Sequence, residues 1–179
     1  MDVEHLDGAG VRTHLAEIEA VYAAAFPHYD LGDYRARMRR QIESPGFEAV
    51  TARDGRALAG VAYGLPLSAR TGWWDDLEPA APPEFTAETG RRTFAVIDLA
   101  VRPAHRGKGL GRRLLQELLA GRAEERATLA TGPDERTQRM YRRWGWRHVG
   151  GTPGGAGETQ PWYDLYVIDL GAPAASSSP

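Results

Sequence analysis

The chain has 179 residues, 42% of them hydrophobic, which suits one domain with a full core. Against 24 acidic residues stand 22 basic ones, a net charge of −2 with no block of five like charges, so nothing global marks a nucleic-acid or membrane binder. No cysteine is present, which excludes disulfides, thiolate catalysis and sulfur-ligated metals. The first 30 residues carry Glu4, Asp7, Glu17 and Glu19 and no basic-then-apolar start, and no run nears the roughly 18 apolar residues of a membrane span. No signal peptide, no membrane and a cytoplasmic location are therefore the expectation.

Leu15, Ile18, Tyr22 and Ala25 recur at helical spacing, which predicts a helix over 11–26 ended by Pro27. Asp33 is the expected cap of a second helix, with Tyr34, Met38 and Ile42 on one face, four arginines elsewhere on it, and Ser44-Pro45-Gly46 as its stop. Residues 47–52 and 57–63 flank Asp54-Gly55 and read as a hairpin. A long Pro-rich connection follows over 65–92, with Trp73-Trp74-Asp75-Asp76 near its middle. Residues 93–101 are almost wholly apolar, which predicts a strand buried on both faces. A helix over about 111–121 carries the stripe Leu114, Leu115, Leu118 and Leu119. Then come a strand at 127–131, a turn at Gly132-Pro133, and a helix from about Asp134 to Trp144. Strands at 146–149 and 163–170 close the order, separated by a loop with five glycines. The pattern is α/β with mixed strand directions: a single domain over 1–170, then a small polar tail over 171–179 expected to be disordered.

The most informative stretch joins the buried strand to the leucine-striped helix. The strand stops at Arg102-Pro103, and Arg106-Gly107-Lys108-Gly109-Leu110-Gly111 leads into a helix opening with Arg112 and Arg113. Alternate glycines let backbone N–H groups approach a ligand closely, and a helix start adds free donors and a positive dipole end. Flanking cations complete a site for a di-anion such as a pyrophosphate. A Walker A loop is excluded because no Ser or Thr follows Lys108, and a dinucleotide fingerprint counted from Gly107 meets Arg112 where its third glycine belongs. The alternative is a turn whose glycines serve only the connection.

This stretch resembles the acyl-CoA-binding loop of the GNAT acetyltransferase superfamily, Arg/Gln-x-x-Gly-x-Gly/Ala after a strand ending Val-x-Pro. The element order resembles that fold too, over about 3–170: a mixed central sheet flanked by helices. The resemblance implies that acetyl-CoA is the cosubstrate and that Arg106, Gly107, Lys108, Gly109, Leu110, Gly111 and Arg112 hold its pyrophosphate. It also implies that the backbone of Leu99, Ala100 and Val101 pairs with the pantetheine arm. Met140-Tyr141-Arg142-Arg143-Trp144-Gly145-Trp146 resembles the family's Tyr-x-x-x-Gly-Phe, which makes Tyr141 the expected acid for the leaving thiolate; packing alone is its other reading. Asp134 stands where the family often has Asn, which makes it a candidate contact of the CoA arm; an ionised Asp cannot donate to that arm, and capping the helix is its other reading.

Asp98 is the one ionisable residue in 93–101, so it must be paired, hydrated or functional. The resemblance implies a catalytic role for it, holding an ammonium or taking its proton; a salt bridge with one of the arginines is its other reading. Trp73, Trp74 and Trp162 are candidate acceptor contacts, against the alternative that the tryptophans pin their loop. The five histidines show no metal-like spacing and no metal is expected. The reading is an N-acetyltransferase acting on a small-molecule amine. A protein N-terminus or lysine as acceptor, or a non-catalytic acyl-CoA-binding module, stays open. Dimers are common in the fold it resembles, so a homodimer is one possible assembly.

Overall fold

The computed structural model describes residues 1–155 and 160–171. Its elements run β1 (Asp2–Leu6), α1 (Gly8–Thr13), α2 (Leu15–Ala25), α3 (Leu31–Gln41), β2 (Glu48–Asp54), β3 (Ala57–Pro66), α4 (Pro83–Thr86) and β4 (Thr93–Val101). A 3-10 turn at Pro103–His105 leads to α5 (Leu110–Leu119), β5 (Arg126–Thr131), α6 (Glu135–Arg143), β6 (Arg147–Pro153) and β7 (Trp162–Asp169). The chain divides into two compact units, Met1–Leu65 with Val96–Ala120, and Pro66–Ala95 with the chain from Gly121 onward. Residue 157 of the glycine-rich loop and residues 172–179 of the tail lie outside the described residues.

In the first unit the strands lie in the order β1-β2-β3-β4. β2 and β3 form the expected hairpin, Asp54 facing Ala57 across Gly55-Arg56, with a bulge at Ala52/Arg53. β1 was not legible from its residues: Asp-Val-Glu-His-Leu is short and polar, only Leu6 is buried, and pairing with β2 from Asp2↔Arg53 to Leu6↔Ala49 makes it a strand. The single helix expected over 11–26 is two. α1 is capped by Asp7, whose carboxylate accepts from Gly10 N, and His14 separates it from α2. The second helix is capped by Asp30 rather than Asp33; the Asp33 N–H is the donor to that cap at 2.8 Å. Ile18, Val21 and Tyr22 of α2 and Tyr34, Met38 and Ile42 of the α3 segment build one core with Val61, Tyr63 and Ala100 of the strands. In α5, Leu114, Leu115 and Leu118 are buried as expected, joined by Leu110, while Leu119 is only partly covered.

The second unit contains β5, β7 and β6 in that order, all antiparallel to their neighbours within it. Its long connection is not structureless. β3 extends to Pro66, α4 forms within it, and Glu78 exchanges two backbone bonds of 2.8 Å with Gly151, covering the edge of β6 there. Exposed strand edges invite pairing with other chains, and a loop laid along one closes it. Thr152 adds a hydroxyl bond to Asp75 O at 3.0 Å. Burial along β4 is uneven: Thr93 to Val96 are buried, whereas Ile97, Asp98 and Leu99 are partly open. The strand is thus sealed only in its first half, and its carboxylate lies in the open part.

Candidate active site

The glycine loop is shaped by two left-handed residues, Gly107 at φ +73 and Gly109 at φ +81. A Cβ built on either meets nothing within 4 Å, so the space above this backbone is open. Gly109 is the N-cap of α5 and no side chain caps that helix. The first turn's bond runs from Arg113 N to Gly109 O at 3.0 Å, so the N–H groups of Leu110, Gly111 and Arg112 have no partner inside the helix. They are free donors at the positive end of a helix dipole, which is chemistry for phosphate oxygens.

The side chains of this loop divide differently from the expectation. The Arg106 guanidinium donates to Ala25 O at 2.8 Å and to Val101 O at 3.0 Å, so its charge ties the loop to α2 and β4 instead of reaching for a ligand. Its own N–H is bonded to Pro103 O. Lys108 Nζ donates to Ala104 O at 3.1 Å, and the Leu110 side chain is in the core, leaving only backbone for a ligand. Arg112 is exposed. His105 is paired with Asp54 at 3.1 Å. Leu99 and Val101 are partly open and Ala100 is buried, as backbone-only contacts permit.

Asp98 has two partners in the same unit, both on Oδ2. Arg37 Nη2 donates at 2.7 Å from α3, and the Tyr63 hydroxyl donates from β3. The ion-pair reading of Asp98 is therefore realised, with its Oδ1 left out of both bonds. Burial pushes the Asp98 carboxyl up, against the pull of Arg37 and the Tyr63 hydroxyl. Burial and the Asp98 charge push the Tyr63 phenol well above its ordinary range, so it stays a donor. The Tyr22 and Tyr34 rings stack at 3.7 Å, and the Arg37 guanidinium lies 5.8 Å from the Tyr34 ring centre. Neither Arg37 nor Tyr63 was singled out by sequence reading. A lone carboxylate in an apolar strand signals that a cation exists, but four arginines on α3 qualify equally.

The second unit holds Tyr141, Asp134, Trp73, Trp74 and Trp162. Tyr141 is buried near the end of α6, its ring meeting Trp144 and Trp146 edge-on and Tyr166 at a tilt. Asp134 is the N-cap of that helix, its Oδ2 accepting from Thr137 N at 2.8 Å, so its carboxylate is committed to the backbone. Trp74 departs from the acceptor role expected of it. It is buried, its Nε1 donates to Glu88 Oε1 at 3.0 Å, Phe85 meets it edge-on, and Arg126 lies over both rings. The Glu88–Arg126 pair at 3.0 Å is itself buried and Thr93 bonds to both members, so Trp74 sits in a closed polar staple. Trp73 is partly open and anchored by its Nε1 to Thr128 Oγ1 at 3.1 Å. The Trp162 indole lies over the Gly151 backbone, where a Cβ would stand 2.3 Å from its nitrogen. That nitrogen donates to Asp164 at 3.3 Å, and Gln138 of α6 holds the other oxygen of the same carboxylate.

Residues 14–146 match the model of the Acetyltransferase (GNAT) family. A curated relative, the GCN5-like protein acetyltransferase Rv2170 of Mycobacterium tuberculosis, is 35% identical over 102 residues, 51% of this chain and 49% of its own. The match thus spans about half the length of that relative. Two solved structures share the fold. One is the aminoglycoside 6'-N-acetyltransferase from Enterococcus faecium, with TM-score 0.64, 16% identity, and 95% of this chain and 97% of that one covered. The other is yncA from Salmonella typhimurium with its cofactor acetyl-CoA, with TM-score 0.64, 19% identity, and 97% and 98% covered. With its glycine loop, its element order and these matches in agreement, the chain belongs to the GNAT acetyltransferase family.

Proposed function

We propose that this protein moves the acetyl group of acetyl-CoA directly to a primary amine of a small molecule, with no covalent enzyme intermediate. The observation that carries the reading is the N–H cradle from Gly107 to Arg112, built on two left-handed glycines with open space above them and on a helix start that no side chain caps. Such a cradle holds a pyrophosphate through backbone alone. In this reading the backbone of Leu99, Ala100 and Val101 pairs with the pantetheine arm. The amine attacks the thioester carbonyl, the C–S bond breaks, and the thiolate takes its proton from Tyr141, which is reprotonated from solvent. Asp98 is the group that receives the ammonium and its proton, since burial raises the proton affinity of its carboxylate. A cytoplasmic location goes with this reading, because acetyl-CoA is made and held inside cells.

The aminoglycoside acetyltransferase among the structural neighbours supports a small acceptor. A protein N-terminus or lysine is the second reading, favoured by the protein acetyltransferase that matches half its length. Mass spectrometry of acetyl-CoA incubated with free amines and with peptides separates them. Within either reading, Tyr141→Phe keeps the ring and removes the proton, so kcat should fall by roughly 10² to 10⁴ with acetyl-CoA affinity little changed. Turnover within about threefold of wild type would remove Tyr141 from the chemistry.

A further inference from the structure

We infer that the acceptor carries a carboxylate beside its amine, and that Arg37 is the residue that selects it. The inference rests on the acetyl-transfer reading and names the substrate class of that site. Its basis is the cluster Arg37–Asp98–Tyr63–Tyr34–Gln41. Asp98 meets the ammonium with one oxygen already engaged, because its Oδ2 accepts from Arg37 Nη2 and from the Tyr63 hydroxyl. The Arg37 side chain is 38% exposed and that of Asp98 14%, so a molecule arriving from solvent meets the guanidinium first. A simple ammonium there must lie beside a cation or displace it. An amino carboxylate meets neither obstacle: its carboxylate lies on Arg37, its ammonium on Oδ1 of Asp98, and each of the four charges has an opposite neighbour.

Polar groups behind the pair are unspent. Arg37 Nε and the Tyr34 hydroxyl make no hydrogen bond among the described residues, and both atoms are covered, Tyr34 being only 2% exposed. Gln41 Oε1, also buried and unbonded, is an acceptor on the same side of the helix, since positions 34, 37 and 41 follow the three-and-four spacing of one face. Unspent buried groups are costly in isolation, so an anion lying on the exposed part of the Arg37 guanidinium meets a cation that the protein has not fully satisfied. Competing charge is already settled: Glu19, which also acts on Tyr34, is paired with Arg35 at 2.9 Å. The other groups facing Asp98 are phenols. Burial pushes those of Tyr22, Tyr34 and Tyr63 up, so they add no negative charge near neutral pH.

The test compares each L-α-amino acid with the amine left when its carboxylate is removed, by calorimetry in the presence of CoA and by acetylation with acetyl-CoA. The amino acids that bind should do so about 10- to 100-fold more tightly than their decarboxylated partners, the range of one charge-assisted bonded group. Arg37→Gln should bring each pair to within about threefold while acetyl-CoA affinity stays unchanged. Should that variant fail to fold, Arg37→Lys decides the matter: it keeps a cation for Asp98 but loses Nε and the planar fork, so the preference should shrink about tenfold. Decarboxylated amines binding as well as amino acids in the wild type, or a full preference surviving in Arg37→Lys, would overturn the inference. Failure of the acetyl-transfer reading looks different: calorimetry still shows the carboxylate preference, yet no amine releases CoA thiol.

Discussion

Gly109→Ala separates what the glycine loop does for the fold from what it does for the ligand. Gly109 sits at φ +81 and its missing Cβ faces open space, so an alanine there touches no protein atom within 4 Å. The cost to the free protein is then the left-handed backbone alone, about 1–2 kcal/mol. For a chain of this length each kcal/mol moves Tm by about 2–4 °C, which places the fall at about 2–8 °C. Acetyl-CoA should suffer separately, because the new methyl projects into the space where backbone N–H groups meet phosphate. Its Kd should rise at least about tenfold, equivalent to about 1.4 kcal/mol. Gly121→Ala is the matched control: φ is +71, nothing lies within 4 Å, and it follows α5 instead of preceding it. The control should show the same melting loss with unchanged affinity. Melts without ligand and calorimetry with acetyl-CoA read the two effects, and equal affinities in the two variants would refute the assignment of this backbone to phosphate.

Trp74→Ala should cost stability and leave the acceptor KM nearly unchanged, since the ring is buried against Phe85 and Arg126; truncating such a ring costs about 3–5 kcal/mol, and a normal melt with a raised acceptor KM would contradict this account. Arg53 grips both oxygens of Glu17, at 2.7 and 3.0 Å, and holds its carboxyl down from 4.5 to about 2. A depressed acid stabilises the fold above its unfolded value and loses that contribution as pH falls through the folded one. Glu17→Gln should therefore melt earlier than wild type above pH 4.5, with the two converging by about pH 2. The pair is partly exposed, so the gap should stay under about 1 kcal/mol, and parallel melting curves down to pH 2 would show that the ion pair adds nothing.

Local chemistry was readable from the residues themselves. Alternating glycines, a strand that stops at proline and a leucine-striped helix are short-range features, and backbone conformation and helix periodicity answer to near neighbours. That is why the cradle from Gly107 to Arg112, the hairpin at Gly55 and the helix bearing Tyr141 stand where the sequence implies. The same short-range logic flagged Asp98 as a carboxylate that needed company.

Which company it keeps was for the tertiary structure to decide. Arg37 reaches Asp98 across 61 positions of chain, and Arg106 reaches Ala25 O across 81, so neither partner leaves a local trace. Arg106 lies in a phosphate-binding motif and reads as a phosphate ligand, until the fold brings a distant carbonyl within bonding range. Trp74 reads as an acceptor contact or as a pin for its loop until Glu88, Phe85 and Arg126 close around it, and β1 leaves no strand signal until β2 offers its edge. The physical reason is common to all four. A backbone states its preferences locally, whereas a charge, an indole or a strand edge is satisfied by whichever distant group the folded chain delivers.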